Sequence, residues 1–462
     1  MTTSLGMLLA AFVIALAFVL VTIIKYKMHP FLSLIIGGLL MGIIAGTPLN
    51  EIASQLAKGF GGTMGGIGII IVLGVILGQL LHKSGCTEQI AASLLRATGE
   101  DNAVLAVNLT GFIVSIPVFF DAAFIILINL IKQISRKGKI PFISLVTALA
   151  VGLITTHAMV IPTPGPLVVA GNLNLNLGWF LLYGIIVAMF GSLVGGVLYG
   201  KIIGKRPENI DDFANAFDDL GEPASVEVKK NAPSGGLGIF LIFLPIFIIL
   251  LGTVMTTLLP DKEAFIYKFL AFIGDKNIAL LIGVLVAYAF LRQYIDEPFS
   301  ELIAECGEQS GAIFIITGAG GAFGAVINGT GIGKALVGAM QGWTGASAGI
   351  MLIVVCFLIS QILRAAQGST TVALVTTSSI MAPIIGGLPG LSPVLIGLAI
   401  CAGGIGCSLP NDSGFWVVNR FTKFNIKQTM QCWTIGGSIS GVVSLICLVI
   451  LSFFTGVLPG LL

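Results

Sequence analysis

The chain has 462 residues, 56% of them hydrophobic and 10% charged, with a net charge of +2 and a mean hydropathy of +1.05. Soluble domains carry about 25% charged residues, so a water-soluble globular fold is excluded. The charge balance leaves no basic footprint, and nucleic acid is not expected as a partner.

Apolar runs of about 20 residues, each able to cross ~30 Å of hydrocarbon, recur from end to end. The ~10-residue alternating stretches of a membrane barrel are missing. In hydrocarbon the backbone must satisfy its own hydrogen bonds, so the expected class is an all-α polytopic membrane protein with the lipid bilayer as solvent. The first run, Leu5–Ile24, has no basic leader or small-residue cleavage site and is expected as a retained helix. Spans follow at 31–45 and 67–81. Residues 103–134 are too long for one crossing and short for two, and Pro117 and Asp121 sit in their middle. This pattern predicts a re-entrant hairpin of two half-length helices. Residues 142–171 form a span broken at 157–166, because Pro162, Pro164 and Pro166 forbid a continuous helix. A span at 179–203 closes the first half, residues 1–205.

Residues 206–234 lack an apolar run and read as a solvated cytoplasmic linker. The second half, 235–462, repeats the series. Its spans are 237–258, 278–291 and 312–327, followed by a hairpin at 350–383, a helix at 393–418 broken at 403–414, and a last span at 434–454. Shifting the chain by 246 positions places Glu51 on Glu297, Gly74 on Gly320, Gly78 on Gly324 and Pro164 on Pro410. Self-similarity of this kind marks an internal repeat. Each half then holds about five transmembrane helices plus one re-entrant hairpin. An odd number of crossings makes the two repeats inverted, an arrangement common in secondary transporters. With the N-terminus outside, only Lys58, Lys262, Lys268, Lys276 and Lys334 of the 23 basic residues fall outside, and Arg364 sits at a hairpin tip. The rest fall inside, which agrees with the cytoplasmic bias of Lys and Arg and predicts both termini in the periplasm. Twelve true crossings would give the same bias.

Polar groups at membrane depth are costly and mark function or pairing. Two hairpin tips and two helix breaks supply them here. The first tip offers Phe119, Phe120 and Asp121. Asp121 reads as a proton carrier or as a helix cap. The second offers Arg364, Gln367, Gly368, Ser369, Thr370 and Thr371, donors suited to a carboxylate and to sugar hydroxyls. Arg364 could bind a carboxylate bidentately or tie the hairpin to a neighbour. The first break brings His157, a candidate proton relay, with Thr163, Pro164 and Gly165. The second brings Asn411, Asp412 and Ser413, where Asp412 is a second membrane-depth carboxylate or a cap for the following helix. Asp121, Asp412 and His157 are the candidate proton-coupling groups. Trp416 is a candidate pocket wall, and Glu51 and Glu297 read as solvated. The seven cysteines include no CxxC pair. No HExxH, Walker A or clustered ligand set occurs, so no cofactor, metal or enzymatic role is expected. A channel remains a different class, and an intramembrane Ser/Lys or Asp/Asp enzyme is disfavoured by the inverted repeat.

The segments Ile116-Pro117-Val118-Phe119-Phe120-Asp121, His157 to Pro166, Gly318 to Phe323, Gly368 to Ala373 and Cys407 to Trp416 resemble the gluconate permease (GntP) family, the gluconate:proton symporters. The resemblance covers nearly the whole chain. It implies uptake of a small sugar acid with protons across a bacterial inner membrane. Family members include carriers of gluconate, related sugar acids and D-serine, so an amino-acid cargo is the alternative. The family is similar to a branch of the ion transporter superfamily. That likeness implies a homodimer with scaffold and transport domains moving as an elevator. The superfamily's Ser-Asn-Thr hairpin signature does not occur at either tip, so sodium sites are not implied.

Overall fold

The computed structural model describes residues 5–90, 93, 102–209, 232–259, 261–332, 346–385, 392–410 and 412–461. Its elements are helical. They are α1 (Leu5–Ile24), α2 (Pro30–Ile44), α3 (Leu49–Lys83), α4 (Ala103–Val114), α5 (Phe120–Gly138), α6 (Phe142–Met159), α7 (Pro164–Asn172) and α8 (Leu177–Gly204). After the linker come α9 (Gly235–Leu258), α10 (Phe265–Ile273), α11 (Lys276–Leu291), α12 (Phe299–Gly329), α13 (Ala346–Gln367), α14 (Thr370–Ile385), α15 (Pro393–Gly403), α16 (Ser413–Thr422) and α17 (Ile426–Ser452). Among the described residues, nine helical segments are long and apolar enough to cross a membrane. The chain is therefore a multi-pass α-helical membrane protein.

Helix starts follow local chemistry. Pro30 and Pro393 sit in the first turns of α2 and α15, where no N–H is needed. Asn176 accepts from the Trp179 N–H at 3.1 Å, and Asn425 with Gln428 forms a capping box. The short α10 is amphipathic and was not expected: a nine-residue helix falls below the length that hydropathy detects, and none of its residues is buried. α3 and α12 begin well before the spans read from sequence, because Gly-rich polar turns precede their apolar cores.

The helices pack in two groups. α3 and α12 lie along one another, with α2 against α12 and α11 against α3. In the other group α4 and α5 pack on α6, α13 on α14 and α15, and α17 on α8 and α15. The groups meet where α7 and α14 contact α3 and α12. Close approach there depends on small residues. A Cβ at Gly78 of α3 would collide with the carbonyl oxygen of Pro117, and one at Gly74 would stand 3.0 Å from that of Pro162. Contrary to the solvated role expected of it, Glu297 is half-buried and pairs with Lys83 at 3.0 Å, because α12 begins beside the end of α3. Lys83 also reaches Glu305 at 2.7 Å.

Candidate functional site

Both predicted hairpin segments consist of two helices joined by a short turn. α4 and α5 flank residues 115–119, and α13 and α14 flank Gly368-Ser369. Gly368 has φ +69, a left-handed backbone that glycine adopts without a Cβ clash. The predicted breaks also occur, with narrower bounds. The first spans residues 160–163, leaving His157 inside the last turn of α6. The second spans 404–412, and Ser413 already belongs to α16.

These pieces converge on one cavity of ≈ 160 Å³. The first tip supplies Phe119, Phe120 and Asp121, and α6 supplies Ile154 and His157. The second hairpin supplies Arg364 and Gly368 to Thr371, and the second break supplies Asp412, Ser413 and Gly414. Trp433 of α17 closes the wall. Asp121 and Ser369 are half-buried and Ser413 is exposed, so the cavity opens to the surface.

The centre is an ion pair. Arg364 Nη2 lies 2.5 Å from Asp412 Oδ2, with Arg364 1% and Asp412 5% exposed. An isolated buried charge is costly, and further hydrogen bonds to the pair offset part of that cost. Ser408 Oγ donates to the same Asp412 oxygen, and the Gly414 N–H donates to Oδ1 at 3.0 Å. Trp433 Nε1 donates to Ser408 Oγ at 2.6 Å, and Thr434 Oγ1 donates to the Ser408 carbonyl. Asp412 thus both caps α16 and holds Arg364. Arg364 ties the second hairpin to the break. Among the described residues, Arg364 Nε and Nη1 and His157 Nδ1 are buried without a hydrogen-bond partner. Asp121 lies within reach of the Ser413 side chain. His157 packs on Phe119 with ring centroids 5.9 Å apart, and Phe120 on Trp433 at 4.4 Å.

Three helices start at this cavity: α5 at Phe120, α14 at Thr370 and α16 at Ser413. Helix N-termini carry unpaired N–H groups and partial positive charge. No side chain caps α5. Ser369 Oγ accepts weakly from the Val372 N–H at 3.4 Å. Three helix N-termini and a guanidinium thus bring hydrogen-bond donors to one cavity, with Asp412 already occupying that of α16.

Several predicted residues lie outside this wall. Thr163 Oγ1 turns back to the Val160 carbonyl at 2.5 Å, and Pro164 begins α7. Gly165 packs against Leu374 and Thr371 of α14. Gln367 is half-buried, and among the described residues its amide has no partner. Asn411 lies outside the described residues. Trp416 does not wall the cavity; it is 41% exposed and donates to the Pro410 carbonyl at 2.8 Å. Its place at the fourth residue of α16 turns it outward. Ile154, Gly414 and Trp433 were not foreseen. Trp433 lies 25 positions after Ser408, the group it binds, and no local pattern links them.

Comparison with known proteins agrees with this architecture. Residues 7–454 match the model of the GntP family permeases. The chain belongs to that family. It is a membrane permease and not an enzyme. It is 33% identical to a gluconate permease of Pseudomonas aeruginosa over 94% of this chain and 95% of the relative. It is also 33% identical to the D-serine transporter DsdX of Escherichia coli (strain K12), over 95% and 97%. An uncharacterized permease of Haemophilus influenzae is 36% identical over 94% of this chain and 89% of that one. Among solved structures, the Alcanivorax borkumensis YdaH transporter superposes with a TM-score of 0.62 at 15% identity, covering 88% of this chain and 89% of that one. That likeness supports the permease's fold alone.

Proposed function

We propose that the permease imports a small sugar acid, a gluconate-like hydroxy-carboxylate, by proton symport across the bacterial inner membrane. The observation that carries this reading is the convergence of three helix N-termini and Arg364 on one open cavity. At ≈ 160 Å³ the cavity suits a molecule of a few carbons, below the ~300–1,000 Å³ of drug-sized pockets. The substrate carboxylate takes a donor that Asp412 leaves free on Arg364, Nε or Nη1. Its hydroxyls meet Ser369, Thr370 and Thr371. The gluconate permease among the relatives supports the substrate class.

Proton coupling falls to Asp121, Asp412 and His157. A substrate anion and the Asp412 carboxylate compete for one guanidinium. Protonating Asp412 weakens its hold on Arg364 and frees charge for the incoming acid, so proton and substrate load together. Asp121 provides a second protonatable group at the mouth, and His157 one at the floor. Inverted repeats, re-entrant hairpins and periplasmic termini complete the reading, and the recurring helix order supports it. An elevator of scaffold α1–α3 with α9–α12 against the remaining helices, working as a homodimer, follows the superfamily likeness.

The test is uptake of labelled gluconate into proteoliposomes with and without an inward proton gradient, against glycerate, four-carbon aldonates and D-serine as competitors. Gradient-driven accumulation blocked by sugar acids is expected. Asp121→Asn should abolish uphill accumulation while sparing exchange; unchanged accumulation would remove Asp121 from the proton path. A second reading, D-serine transport, draws on the DsdX relative and on Asp121 as a partner for an ammonium group. Competition by D-serine alone would favour it.

A further inference from the structure

A larger cavity of ≈ 390 Å³ shares no wall residue with the first. It lies between the two helix groups, walled by Lys58 and Thr63 of α3, Asn172 of α7, Lys276 of α11, Asn328 of α12 and Ser379 of α14. α14 links the two cavities. Thr370 and Thr371 line the first and Ser379 the second, about 14 Å further along the axis at ~1.5 Å per residue. Val375, between Thr371 and Ser379 along α14, belongs to a separate buried apolar cluster with Ile67, Ile71, Val168 and Ile316, and Ile67 also lines the larger cavity.

The chemistry of this cavity is one-sided. Among the described residues, two lysines face it and no carboxylate does. Lys276 is half-buried, and among the described residues it has no ion-pair or hydrogen-bond partner. Hydroxyl and amide groups supply the rest of the polar wall. Asn172 is fixed by donating to Ser378 at 2.9 Å and Ser379 at 3.1 Å. On α3, Gly62 and Gly66 face it, and a Cβ built at either would meet nothing within 4 Å. A polar, cation-lined space large enough for a sugar acid, sharing no wall residue with the first site, is a place for such an acid to wait.

We propose that this cavity is a second anion-binding site, an antechamber that holds a small hydroxy-carboxylate at Lys58 and Lys276 and its hydroxyls at the Asn and Thr side chains. The cargo identity rests on the sugar-acid reading above; the anion preference does not.

The experiment places a cysteine at Gly62, which the open space accommodates, with Gly66→Cys as a second position. Alkylthiosulfonates of opposite charge are compared on the full-length protein in proteoliposomes, with the parent chain subtracting the native cysteines. With each rate divided by that reagent's rate on a small free thiol, the sulfonate reagent should react on the order of tenfold faster than the trimethylammonium reagent, the lower end of electrostatic focusing in a charged cleft. Lys58→Gln with Lys276→Gln should bring that ratio close to one. Gluconate or glycerate should slow labelling, and should still do so in Arg364→Lys, which alters only the other cavity. Equal normalised rates for the two reagents, a ratio unchanged without the lysines, or no protection by any acid would overturn the antechamber. The uptake assay reads the sugar-acid proposal separately, so the two can fail independently.

Discussion

The two helix breaks, at residues 160–163 and 404–412, do different work. Residues 160–163 are buried and largely satisfied within their own segment: Thr163 bonds the Val160 carbonyl, and the Val160 N–H bonds Thr156 at 2.9 Å. No side chain of this break reaches the cavity. Residues 404–412 are bound outward. Thr370 donates to the Gly404 carbonyl at 3.2 Å, Ser438 accepts from the Cys407 N–H at 2.9 Å, and Asp412 holds Arg364. Interrupting a helix at membrane depth only requires that the freed backbone groups find partners. Partners drawn from the same segment leave a structural joint. Partners drawn from three other helices assemble a site.

That contrast can be broken by substitution. Asp412→Ala leaves the Arg364 guanidinium buried without its counter-ion and should lower stability by about 3–5 kcal/mol, with uptake lost; thermal unfolding of the purified protein and transport read both. A stability change no larger than that of a change in the first break would abolish the distinction. Next in size is Gly78→Ala, whose Cβ meets the Pro117 carbonyl. Overpacking there should cost about 1–3 kcal/mol, whereas Gly62→Ala, facing open space, should be neutral in the same melt. Ser408→Ala strands the Trp433 N–H and one bond to Asp412. It should cost about 1–3 kcal/mol and raise the KM for uptake more than Thr163→Val, which loses a single local bond worth about 1 kcal/mol. Smallest is Trp416→Phe. Its ring is exposed at the edge of the second break, and a shift within about 0.5 kcal/mol is expected; a large loss of uptake would return Trp416 to the binding wall.

The site was legible wherever an unusual residue sits at membrane depth. Asp121, Arg364, Asp412 and the Gly368–Thr371 tip stand out against apolar neighbours, and all line the cavity. Of the alternatives left open, the structural ones are seen: Asp412 caps α16, and Arg364 ties the second hairpin to the break through Asp412. Thr163, Pro164 and Gly165 looked equivalent to the second break because the prolines mark where a helix stops, not where its side chains point. Trp433 was illegible because an aromatic inside an apolar helix carries no local sign of what its N–H meets.

The sequence by itself determined the solvent, the helical class, the order of the long apolar helices and the neighbourhoods where two of them break. Hydrocarbon forces backbone bonds to close within each segment, so length, apolarity and proline suffice to read them. Only the tertiary structure decided which of two similar breaks faces the cavity, which carboxylate meets Arg364, and that a second, cation-lined space lies between the helix groups. Those facts depend on how helices far apart in sequence rotate and seat against one another, and packing of that kind leaves no periodic trace along a single chain.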